Sequence, residues 1–103
     1  MREPVRVFKV DRVWWRIRLV RLKELREEPI FRRWVSRTPG GLCNFKSREI
    51  LVGRHASPRQ RRDITIHETI HALEPKMPHK QVYRLAETLG AALDALDSAQ
   101  RDL

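Results

Sequence analysis

REILVG (Arg48–Gly53) and, further down the chain, HETIHAL (His67–Leu73) decide how this sequence reads. The first is a compact run rich in β-branched and aliphatic residues, which is strand chemistry. Between them, HASPRQRRDITI opens a helix: Ser57 is a suitable N-cap, Pro58 falls where a helix tolerates proline, and Pro75 ends it. Ile66, Ile70 and Leu73 are expected to face the core, beside the face that carries the histidines. On a helix, residues i and i+4 share a face, so His67 and His71 can hold one ion while Glu68 keeps its carboxylate free for a proton.

Zinc catalysis on a protein scaffold needs three protein ligands and an open position for water, whose proton a neighbouring carboxylate accepts. His67 and His71 supply two ligands, and Glu68 is the natural general base. If the chain turns near Lys76 into an antiparallel helix, positions 79 to 87 come level with the ion. We take His79 as the third ligand, with Glu87 as the alternative; Glu74 shares the histidine face but sits at the helix end. The strand just upstream is expected to offer an edge onto which an extended peptide could add. The plainer reading is two histidines that fall four apart on an amphipathic helix. His55 could orient a substrate, Tyr83 and Arg84 could polarise an oxyanion, and Cys43 reads as a small buried hydrophobe.

Working outward, Val82, Leu85, Ala86, Leu89, Leu93 and Leu96 mark a second amphipathic helix from His79 to about Asp97. Upstream, VWWRIRLVRL alternates, with Val13, Trp15, Ile17 and Leu19 on one side and Arg16 and Arg18 on the other. VRVFKV precedes it, and Asp11-Arg12 can turn a hairpin between the two. KELREEP breaks the alternation, IFRRWVSR reads as a further short strand, and TPGG is a turn. The expected architecture is a single α+β domain over residues 1–103: a small antiparallel sheet in 1–53 packed on two antiparallel helices in 57–97.

The chain has 103 residues, 41% hydrophobic and 34% charged, with a net charge of +9. Its single cysteine excludes an intrachain disulfide. No apolar run is long enough to span a membrane. MREPVRVFKV lacks the apolar core of a secretory signal, so the expected setting is cytosolic. Most of the 22 basic residues are arginine, whose planar fork suits phosphate. A different class of function follows from that: a basic nucleic-acid-binding module, with Arg54, Arg59, Arg61 and Arg62 on phosphate and the HExxH ion structural or inert. Trp14, Trp15 and Trp34, interleaved with arginines, could stack bases, although alternation assigns Trp15 to the core. A protease recruited to DNA would unite both features.

LCNFKSREILVG, HETIHAL and QVYRLAETLGAAL together, spanning about Leu42 to Leu96, resemble a group of small zinc metallopeptidases common in bacteriophages and some bacteria. The resemblance implies a minimal zincin fold, Zn2+ as cofactor, a polypeptide substrate and a phage or bacterial cytosolic setting. Members commonly carry a glutamate at the start of the last helix, where this chain has His79. A histidine ligand there is similar to the SprT-like proteases, although the His-Gly pairing of that group is missing here. The oligomeric state is open on sequence grounds.

Overall fold

The computed structural model describes residues 4–27 and 35–103. Its α+β architecture follows the expected layering: a sheet built from the first half of the chain, with the two long helices after it. The hairpin β1 (Val5–Val10) and β2 (Val13–Val20) forms as the alternation predicts, with Trp15 opposite Phe8 and only 6% exposed. Asp11 and Arg12 turn it with φ of 48° and 71°. Two successive positive φ values match the right-handed strand twist, so the turn closes without glycine.

Next comes α1 (Leu22–Glu27), a short helix where the sequence showed only a break in alternation. The strand expected over IFRRWVSR lies partly outside the described residues, as does Trp34. Within them, β3 (Val35–Thr38) pairs with β4 (Gly41–Asn44) across Pro39-Gly40. Gly40 has φ of 84°, so proline followed by a positive-φ glycine gives the residue order of a type II turn. The Asn44 side chain accepts from the backbone N–H of Lys46 and Ser47 at 3.0 Å each and leads into β5 (Glu49–Gly53).

The sheet order is β1-β2-β5-β4-β3. Two expectations change here. The sheet is mixed, because β2 and β5 run parallel. And β5, expected as an edge, is central, hydrogen-bonded to β2 on one side and β4 on the other. A peptide therefore cannot add to REILVG. The physical reason is that β5 is apolar on both faces. Ile50 and Val52 enter one core with Val10, Trp15, Cys43 and Ala72, while Leu51 enters another with Val20, Leu25 and Leu42 under α1. Such a strand is covered on both sides and belongs in the middle. Truncating Ile50 to alanine costs about 2–5 kcal/mol.

Helix α2 (Pro58–Leu73) starts as the sequence predicts. Ser57 accepts from the Gln60 N–H at 3.2 Å, and the Gln60 side chain accepts from the Ser57 N–H at 3.0 Å, a complete capping box. Its inward face differs from expectation. His67, Glu68, His71 and Ala72 are buried; Ile66 and Ile70 are half-buried and Leu73 is 50% exposed. The cause is that α2 is covered twice, by β4 and β5 on one side and by α3 on the next.

Helix α3 (His79–Arg101) runs antiparallel to α2: His71 meets His79, His67 meets Tyr83, and Arg59 meets Asp94. Only Val82 and Gly90 of α3 are buried, while Leu85, Leu89, Leu93 and Leu96 remain 38–50% exposed. No helix among the described residues is long and apolar enough to cross a membrane.

Candidate metal centre

The helical pair brings three imidazoles together. One nitrogen from each of His67, His71 and His79 lies within 4.8 Å of the others. Within α2, the Nε2 atoms of His67 and His71 are 3.1 Å apart. Two nitrogens on one tetrahedral ion, each about 2.0–2.1 Å from it, lie roughly 3.3 Å apart, so the pair fits a shared ion. With one ring protonated at Nε2 and the other at Nδ1, the same separation is a hydrogen bond. His79 closes the triangle from α3, its ring centroid 4.5 Å from that of His71 and 6.2 Å from that of His67. Pro78 sets this placement by starting α3 immediately before His79.

Electrostatics favours the ligand form of these rings. Burial, then the charges of His67 and His79, push the pKa of His71 down to about 4. Burial, then His79, lowers His67 as well. Both rings are therefore neutral at pH 7, the state in which imidazole donates a lone pair to a metal. His67 and His71 are only 5% and 3% exposed, while His79 opens the cluster to solvent.

Glu68, which follows His67 on α2, is fully buried. It lies close enough to Cys43 on β4 for its charge to raise the thiol pKa further above the value that burial alone gives. The thiol is accordingly inert, as expected of a small buried hydrophobe. Glu87, the alternative third ligand, stands apart from the three-histidine group and lines a groove between α2 and α3. Glu74 caps α2 in solvent.

That groove encloses about 630 Å³ beside His67, with Ile64, Tyr83, Ala86 and Gly90 among its walls. The Tyr83 ring is 4.6 Å from that of His67, so Tyr83 joins the site, whereas Arg84 is exposed on α3. His55 lies apart, against Gly53 and Gly40 and beside a smaller furrow.

The groove is also lined by ion-paired residues that sequence reading missed. Arg62 reaches Asp94 at 2.9 Å and Asp63 at 3.0 Å, and Arg59 reaches Asp94 at 2.7 Å. Hydrogen bonds from Arg62 and the charges of both arginines hold the Asp94 carboxyl below its ordinary range. Of the four arginines expected on phosphate, Arg59 and Arg62 are thus engaged across the helix pair; Arg54 is exposed and Arg61 half-buried. The only signal in the sequence was Asp94 and Asp97 recurring on one side of α3.

No family model, curated protein or solved structure matches this chain. The class that the fold and site define is that of an α+β domain with a three-histidine cluster held by a helical pair.

Proposed function

We propose that this chain is a zinc-dependent peptide hydrolase in which His67, His71 and His79 hold the ion and Glu68 is the general base. The observation that carries the reading is the convergence of three imidazole nitrogens within 4.8 Å, next to a buried glutamate and an open groove. His67 and His71 from successive turns of one helix, with His79 from its antiparallel neighbour, would hold the ion and leave a position for water. Bound there, zinc supplies a Lewis acid that polarises a carbonyl and acidifies water.

The remaining tasks fall to residues of the chain. Glu68 accepts the proton of the attacking water and returns it to the leaving amine. The groove beside His67 holds the substrate in an extended form, with Tyr83 at its wall. Its openness suits an unfolded polypeptide rather than a folded one.

Metal analysis of the purified protein, with casein as substrate, tests the reading. Wild type should carry one equivalent of zinc and cleave casein. His67→Ala should carry none, and Glu68→Gln should keep the metal while losing about 10²–10⁴-fold in rate. Absence of zinc from both wild type and His67→Ala would sink the proposal.

A further inference from the structure

On the sheet face away from α2, side chains alternate outward at Val7 and Lys9 of β1 and at Trp14, Arg16 and Arg18 of β2. Helix α1 covers the end of this face near Val20 and Leu51. At the other end, Trp14 is 59% exposed in a strand, although its neighbour Trp15 is buried. An indole left in water on a regular strand is an unused apolar surface of a kind that marks contact sites.

Its surroundings are basic. Lys9 lies directly opposite in the register and places its ammonium 5.0 Å from the Trp14 ring centroid. Arg16 follows on the same face, 54% exposed. The β4–β5 turn lies alongside, because the Arg16 N–H donates to the Arg48 carbonyl at 2.9 Å. That turn brings exposed Lys46 and Arg48 to the same end of the sheet, and the hairpin turn adds exposed Arg12. Lys9, Arg12, Arg16, Lys46 and Arg48 thus share this end of the sheet with Trp14. Asp11 and Glu49 are the acidic residues of these same segments, and Glu49 is shared between Arg16 and Arg18 at 3.1 and 3.2 Å.

We infer that this end of the sheet binds single-stranded nucleic acid, with Trp14 stacking on a base and Lys9 and Arg16 contacting the flanking phosphates. An open sheet face with one aromatic among cations fits a strand whose bases are already unstacked, and it reads no sequence. The excess of cations matches a polyphosphate. A lipid surface would demand more apolar area than Trp14 and Val7 provide. The contact residues differ from the arginines of α2, two of which are held by Asp94. The inference is independent of the metal site.

Fluorescence anisotropy of a labelled oligothymidylate, titrated with the whole 103-residue chain at several salt concentrations, tests it. Wild type should bind with steep salt dependence. Trp14→Ala should weaken binding roughly 5- to 100-fold, and Trp14→Phe should retain most of it. Lys9→Gln and Arg16→Gln should each lower the slope of log K against log salt by about 0.7. These two substitutions provide the test if Trp14→Ala does not fold, and His67→Ala should bind like wild type. Equal binding and equal salt slopes in wild type, Lys9→Gln and Arg16→Gln would overturn the assignment. So would binding to phosphatidylserine vesicles with none to the oligonucleotide.

Discussion

His67 and His71 point their Nε2 atoms at one another across 3.1 Å, on successive turns of a helix that buries both rings. Burying two imidazoles without burying their charge is tolerable only if both stay neutral, and both pKa values are lowered accordingly. In the proposed metal site the pair would therefore be arranged in advance, and α3 would decide what completes it.

Completion should come from His79 and not from Glu87. His79→Ala is expected to weaken zinc binding by more than about 100-fold, beyond what loss of an outer-shell partner costs. Glu87→Ala should leave affinity within about threefold of wild type, since Glu87 lines the groove apart from the cluster. Competition against a chromophoric chelator measures both. A loss on Glu87→Ala and none on His79→Ala would reverse the assignment.

Acid should loosen the metal-free fold in a defined window. The folded-state pKa of His71, about 4, lies below its ordinary 6.5. The unfolded chain therefore binds the proton first, and stability falls as pH drops from about 6.5 toward about 4, levelling off below that. The loss from this residue is about 3 kcal/mol. Urea denaturation of chelator-treated protein across this range measures it, and His71→Asn should flatten the curve. An unchanged slope in His71→Asn would show that other groups carry the effect.

Much of this site was legible in the sequence because its signals are local. Ser57, Pro58 and Pro75 bound α2 through capping and missing N–H groups, which depend on neighbours only. The i, i+4 spacing of the histidines needs nothing beyond a helix. The direction of β5 was not legible, since alternation and composition report which faces are buried and not which way a strand runs. The inward face of α2 was misread for a related reason. Ile66, Ile70 and Leu73 form the more apolar stripe, yet α3 and the sheet select His67, Glu68, His71 and Ala72. Asp94 meets Arg59 and Arg62 only after the helices pair, a contact that no window of sequence contains.

Gly90 measures how closely those helices must approach. A Cβ there would lie 3.2 Å from Asp63 Oδ1 and 3.8 Å from an Arg62 guanidinium nitrogen. Alanine gains about 1 kcal/mol in helix propensity against this crowding, so Gly90→Ala should stay within about 1 kcal/mol of wild type. Leucine cannot fit without spreading the pair, and should cost about 1–3 kcal/mol while narrowing the groove. Thermal unfolding of both variants checks this. A Gly90→Leu protein as stable as wild type would mean that α3 is free to move away from α2.

The hairpin turn offers a gain in stability instead. Arg12 holds φ of 71°, a left-handed conformation that costs a non-glycine residue about 1–2 kcal/mol. Asp11, at φ of 48°, tolerates that region better, because its short polar side chain can hydrogen-bond locally. Replacing Arg12 by glycine creates Asp-Gly, a favoured pair for a two-residue turn with both φ values positive. The greater freedom of glycine in the unfolded chain offsets part of the relief, leaving a net gain of about 0.5–1 kcal/mol. Arg12→Ala keeps the strain and should give no such gain, which separates backbone relief from loss of the arginine charge. Denaturation midpoints of the two variants read the difference directly. Equal midpoints would mean that the turn carries no strain.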